Sequence, residues 1–143
     1  MGPDSTPAEI LAGTCTIAMI GASPDPDKPS HGVMRYLLEQ GYNVIPVRPG
    51  EGDVLGIPVV NSLAEIDEPV HMVDVFRKSE AAPEIAREAV AVGATSLWLQ
   101  PGCVSDEARD IATSAGLAFA EDLCTRQVHR DQGVGAVGPA LLR

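Results

Sequence analysis

Residues 16 to 33, TIAMIGASPDPDKPSHGV, run from an apolar stretch through a Gly-Ala-Ser turn and a proline-rich loop into a helical pattern. A glycine turn between a strand and a helix N-terminus suits phosphate, because unpaired backbone N–H groups and the positive end of the helix dipole converge there. The chemistry on offer is anion recognition: Gly21, Ala22 and Ser23 form the turn, Lys28 supplies charge and Ser30 stands at the helix start. Neither common phosphate motif is present. No glycine falls between Gly21 and Gly32, which excludes G-x-G-x-x-G, and none precedes Lys28, which excludes G-K-[ST]. Other reactive groups are sparse. His31, His71 and His129 are scattered, and Cys15, Cys103 and Cys124 are odd in number without C-x-x-C spacing, which argues against a metal cluster and a disulfide framework alike. No serine, histidine and acid arrangement can be argued, so no catalytic residue is assigned.

The elements that must position these groups follow from patterning. Apolar runs at Thr16–Ala22, Asn43–Val47, Val70–Phe76, Thr95–Leu99 and Leu117–Ala120 carry few alternating polar residues, as expected for strands covered on both faces. Between them, Ser30 to Gly41, Ser79 to Gly93 and Ser105 to Gly116 each open on an N-cap serine and end on a glycine suited to the left-handed position after a helix. Thr6-Pro7-x-Glu9 reads as a capping box for a short N-terminal helix, and Ser62-x-x-Glu65 as a second one. Alternating strands and helices of these lengths imply right-handed crossovers and a parallel sheet. The expected fold is α/β: a single Rossmann-like domain over residues 1–132, with a five-stranded parallel sheet in the order 3-2-1-4-5 and helices on both faces. Residues 133–143, GVGAVGPALLR, are glycine-rich and read as a flexible tail.

In such sheets ligands bind beyond the strand C-termini, where the order reverses. After the first strand come Gly21, Ala22, Ser23, Lys28 and Ser30, and Arg48 follows the second. Arg77 and Lys78 follow the third, Gln100, Gly102 and Cys103 the fourth, and Arg126, His129 and Arg130 the fifth. Seven of the ten lysines and arginines thus lie at this edge or past the last strand: Lys28, Arg48, Arg77, Lys78, Arg126, Arg130 and Arg143. Asp25, Asp27, Glu51 and Asp53 dilute the signal, and loop charges that are merely solvated are the competing explanation. The net charge of −10 would repel a polyanion, and five aromatic residues offer little to stack on bases, so neither nucleic acid nor an anionic membrane is expected as a partner. No apolar run approaches the roughly 18 residues of a membrane span, and the N-terminus MGPDSTPAEI lacks the pattern of a secretory signal. A cytoplasmic location with reduced thiols is expected.

Arg48 in NVIPVRPG discriminates among nucleotides. A domain that binds NAD places an acid there, about 20 residues beyond the glycines, to accept from the adenosine ribose. An arginine suits a phosphate on that ribose, which NADP and coenzyme A carry, unless it is an ordinary surface residue at a strand end. Taken together, GASPDPDKPSHGVMRYLLEQGY, VIPVRPG, VLGIPVVNSLAEI, VDVFR and LWLQPG resemble the small stand-alone CoA-binding proteins, relatives of the N-terminal CoA-binding domain of the succinyl-CoA synthetase α subunit. The similarity spans about residues 10 to 130, in order and without large gaps.

The resemblance implies a Rossmann-like domain that binds coenzyme A. Gly21, Ala22, Ser23 and Ser30 would meet phosphates with Lys28 nearby, Arg48 would lie at the nucleotide end, Val75, Phe76 and Arg77 along the cofactor, and Gln100 and Gly102 across from them. The chain departs from its relatives at two places. Asp122-Leu123-Cys124 lacks the arginine that often precedes that cysteine, and Arg48 stands where many relatives have asparagine. Cys103 either faces the pantetheine thiol, with a pKa lowered by a helix N-terminus, or fills a turn. Phe76 is either core or a platform for adenine, and Trp98 is core. Two function classes follow: a coenzyme A or acyl-CoA binding protein without self-contained catalysis, or an enzyme, either an NADP-dependent reductase or an acyl-CoA-transforming subunit that needs a partner chain. Neither Tyr36 nor Tyr42 has the lysine four residues on that a reductase would use. A partner protein or a homo-oligomer is compatible with either class.

Overall fold

A computed structural model describes residues 1–137. Five parallel strands form its centre: β1 (Thr16–Ile20), β2 (Asn43–Val47), β5 (Met72–Val75), β6 (Ser96–Leu99) and β7 (Ala118–Ala120); between β2 and β5 a two-stranded hairpin, β3 (Asp53–Val54) and β4 (Ile57–Pro58), stands apart. Strand periodicity divides the core into two layers. Ala18 and Ile20 of β1, Val73 and Val75 of β5, and Leu97 and Leu99 of β6 face α3 (Ala82–Ala91) and α4 (Asp106–Ser114). Ile17, Met19, Met72 and Trp98 face the opposite layer, built by α1 (Pro7–Ala12), α2 (Pro29–Glu39) and α5 (Thr125–Asp131). The chain is therefore a single α/β Rossmann-like domain with five parallel strands and helices on both faces.

The strand order differs from expectation at one seat. Along the sheet the strands run β2-β1-β5-β6-β7, which in chain order of the parallel strands is 2-1-3-4-5 and not 3-2-1-4-5. The position outside β2 is taken by Val60, which makes a single parallel bridge to Val47: Val60 N–H donates to Pro46 O (3.0 Å) and Arg48 N–H to Val60 O (2.9 Å). β5 is buried over all four residues and so belongs inside the sheet, between β1 and β6, where both of its edges are paired. The order consequently reverses between β1 and β5, and that junction is the switch point.

Three helix ends meet the sequence expectation, with Gly41, Gly93 and Gly116 at φ of +96°, +76° and +88°. The Ser105 hydroxyl accepts from Ala108 N–H (3.0 Å), and Thr6 and Glu9 form the reciprocal capping box. The other starts are corrected. α2 begins a residue before Ser30, with Lys28 at the N-cap, because Pro29 at N1 presets the helical φ and has no N–H to satisfy. Ser79 opens a 3-10 turn, Ser79–Ala81, and its hydroxyl accepts from Val104 N–H (3.0 Å), tying that turn to the loop after β6. Ser62 caps nothing, since Glu65 Oε2 takes Asn61 N–H (2.9 Å) instead.

His129 lies in α5, not in a loop, and is buried: Tyr36 OH donates to its Nδ1 (2.7 Å) and its Nε2–H donates to Gly135 O (2.8 Å). That contact helps dock residues 133–137, assigned to a flexible tail on sequence. Val134 and Val137 pack on the α2 layer and Val137 N–H donates to Gln40 O (2.9 Å). The remainder of the tail, 138–143, lies outside the described residues. No helix among those described is long and apolar enough to cross a membrane.

Candidate functional site: a cationic cleft at the switch point

The turn after β1 is set by one close approach. Gly21 has φ of +84°, and a Cβ there would lie 2.3 Å from Phe76 O, so only glycine lets the β1 turn pass the end of β5. Gly21 N–H is held by Val47 O (3.0 Å), and Ala22 O accepts from Arg48 Nη1 (3.3 Å), which draws the half-buried guanidinium across the turn. Beyond it the loop is shaped by its own side chains: Ser23 Oγ accepts from Asp25 N–H (3.1 Å) and Asp25 Oδ1 from Asp27 N–H (2.9 Å).

These elements enclose a cleft of about 930 Å³, within the size of cofactor sites. All eleven residues named from the sequence as ligand contacts line it: Gly21, Ala22, Ser23, Lys28, Ser30, Arg48, Val75, Phe76, Arg77, Gln100 and Gly102. The structure adds Lys78, Cys103, Cys124 and Arg126 to the wall. Lys78, Cys103 and Arg126 carried a sequence signal as residues following strands, and Cys124 was marked only as part of the corner where the chain departs from the resemblance. Phe76 is half-buried, packed on the α2 layer with part of its surface in the cleft, whereas Trp98 is wholly core and donates its Nε1–H to Leu123 O (2.8 Å). None of the three histidines lines the cleft, and Arg130 pairs with Asp131 outside it.

The charge asymmetry is pronounced. Among the described residues, five of the nine lysines and arginines line the cleft and none of the twenty acidic residues does. Asp25, Asp27, Glu51 and Asp53, the acids of the loops after β1 and β2, are all solvent-exposed and off the wall. In a chain of net charge −10 this arrangement focuses positive potential on one concavity.

Beneath the cleft lies a buried polar cluster. Asp74, the third residue of β5, is fully enclosed; Gln100 Nε2 donates to its Oδ1 (2.7 Å) and to Thr125 Oγ1 (2.9 Å), and Thr125 Oγ1 donates to Asp74 Oδ2 (3.4 Å). Burial pushes the Asp74 carboxyl up to about 7, against the pull of the Gln100 and Thr125 hydrogen bonds. Gln100 Oε1 is the one buried side-chain polar atom without a partner among the described residues. An acceptor in that state carries an uncompensated desolvation cost.

The corner after β7 reaches the cleft despite its departure from the family pattern. Asp122 Oδ1 accepts from Gly102 N–H (2.8 Å), which fixes the two loops to each other, while Leu123 is exposed and Cys124 and Arg126 face the cleft. Cys103 is buried, and its thiol is pushed up by desolvation and by the Glu121 charge, so no lowering at a helix N-terminus is realised. At neutral pH it stays a thiol. Alkylation by iodoacetamide at pH 7.5 should accordingly be slower at Cys103 than at a free cysteine in a peptide; mass spectrometry of labelled digests reads the ratio, and faster labelling would contradict this environment.

Comparison with known proteins gives a consistent result. Over 121 residues the chain is 40% identical to the Bacillus subtilis (strain 168) uncharacterized protein YneT, covering 85% of this chain and 90% of that one. A hypothetical protein from Pyrococcus horikoshii OT3 superposes with a TM-score of 0.84 at 34% identity, covering 92% of this chain and 96% of that one. A Thermus thermophilus protein does so with a TM-score of 0.83 at 36% identity, covering 89% and 98%. Residues 15–130, which hold every cleft residue described above, match the family described as CoA binding domain, and the chain belongs to that family.

Proposed function

We propose that this protein binds coenzyme A or an acyl-CoA in the cleft, as a cytoplasmic carrier, sensor or regulatory subunit without catalysis of its own. The observation that carries the reading is the charge of the cleft at the sheet's switch point: five cations and no acidic residue on its wall. A ligand with phosphates at two places suits that wall. The backbone N–H groups of the β1 turn and of the start of α2 meet one anionic group through their dipoles. Arg48, just past the end of β2, would supply the cation for a phosphate on the ribose.

Binding is preferred to catalysis because the wall holds no nucleophile beside a base. Its two cysteines have no histidine with them, and Cys103 is held in the thiol form. Thermal-shift titration with coenzyme A, acetyl-CoA, NADP and NAD tests the reading, since saturation a hundredfold over the dissociation constant stabilises by about 2.7 kcal/mol. Stabilisation by the CoA forms alone supports it, and stabilisation by NADP alone would assign the site to a nicotinamide cofactor. Arg48→Ala should remove roughly 1–3 kcal/mol of CoA affinity, with less effect on dephospho-CoA, which lacks the ribose phosphate. Equal losses for both would show that Arg48 does not read that group.

A further inference from the structure

We infer that Arg126 and Gly32 form a latch for the diphosphate of the ligand, closing the anion site from the α5 side. The inference rests on the coenzyme A reading of the cleft. Arg126 is the second residue of α5, half-buried, and lines the cleft. Its Nη1 lies 3.2 Å from the point where a Cβ of Gly32 would stand, so the guanidinium rests on the start of α2 in space that any other residue would claim. Gly32 is the fourth residue of an 11-residue helix and does not have positive φ. Alanine would serve the helix better at such a position, so the backbone gives no reason for glycine there. Room for the arginine is the remaining reason.

The electrostatics of this contact point to an anion. A cation is disfavoured at the N-terminal end of a helix, where the dipole is positive, and Lys28 at the N-cap adds like charge. The ion pairs among the described residues use Arg87, Arg109 and Arg130; Arg126 is in none of them. A diphosphate between the α2 start and the guanidinium turns that repulsion into two attractions, one through backbone N–H groups and one through a planar fork that matches phosphate oxygens.

The test uses the full chain, calorimetric titration and melting curves. Arg126→Ala should weaken coenzyme A, dephospho-CoA and inorganic pyrophosphate each by tenfold or more, leaving the ratio between the first two unchanged, because both carry the diphosphate. Without ligand its melting temperature should be equal to or above that of the wild type, whereas an arginine holding the fold together would lower it. Gly32→Ala should melt no lower than wild type yet weaken coenzyme A several-fold, and Gly32→Leu, which fills the arginine's seat, should weaken it further. Unchanged coenzyme A affinity in Arg126→Ala and Gly32→Leu, with the wild type binding normally, overturns the latch and leaves the binding reading intact. A change in the ratio of coenzyme A to dephospho-CoA in Arg126→Ala would place the residue at the ribose phosphate and equally overturn it. A wild-type chain that binds neither coenzyme A nor pyrophosphate would overturn both.

Discussion

Asp74→Asn is expected to be more stable than the wild type at pH 8, by up to about 4 kcal/mol, and to differ little from it at pH 4. Asp74 has its carboxyl raised by burial from 3.8 in the ordinary state to about 7 in the fold. The folded chain therefore holds the proton more tightly than the unfolded chain. Below about pH 4 both states are protonated and the residue carries no penalty. As pH rises, the unfolded chain ionises first, so stability falls until the folded group also ionises near pH 7 and then levels off. The amide keeps the hydrogen-bonding shape of the cluster with Gln100 and Thr125 and removes the charge. Urea unfolding of both chains at pH 5 and pH 8 checks it, and an equal difference at the two values would contradict the buried-carboxyl account. A buried acid that costs stability at neutral pH, set directly under a cationic cleft, is the kind of local conflict that folds keep at sites of function.

The second large effect concerns the β1 turn. Gly21→Ala should destabilise the chain by roughly 2–4 kcal/mol, combining the cost of a side chain at positive φ with a clash that pushes the turn off the end of β5. Gly102→Ala provides the comparison. It has almost the same φ, +85° against +84°, but no atom within 4 Å of the added Cβ, so it should cost only about 1 kcal/mol. Denaturant titration of the two variants separates conformational strain from collision. Equal losses would mean that the 2.3 Å approach to Phe76 O relaxes without cost. Because the displaced turn is the proposed anion cradle, Gly21→Ala should also lose coenzyme A affinity.

What the sequence made legible is local. Glycines at 41, 93 and 116 end their helices because each needs a left-handed φ, and Ser105 and Thr6 cap because the chain around them offers no stronger alternative. Ser30 failed as a cap for an equally local reason, a proline one residue earlier. The seat of β5 was not legible, because pairing in a parallel sheet is decided between segments far apart in the chain. Here a single residue, Val60, occupies the outer position that a whole strand was expected to fill. α5 is short and opens on Cys124 without a side-chain cap, so only the glycine that ends it, Gly133 at φ of +64°, signalled it, and without the helix Arg126 could be counted as a cation near the edge but not placed against α2. The eleven contacts named in advance converge on one cleft because strand C-termini share an edge whichever order the strands take. Asp74 was hidden in the apolar run VDVF, where its burial and its partners, Gln100 just after β6 and Thr125 of α5, depend wholly on tertiary packing.

The central claim is that the cleft is built for the phosphates of coenzyme A, and calorimetric titration of the purified chain with coenzyme A and with NAD tests it most directly. The account predicts saturable binding of coenzyme A at one site per chain, with affinity falling as ionic strength rises from 0.05 to 0.5 M because exposed charge contacts are screened over about 10 Å at 0.1 M. It predicts little or no binding of NAD, since Arg48 stands where a ribose-accepting acid would be needed. Equal affinity for the two ligands, or no heat with coenzyme A at any salt, would contradict it.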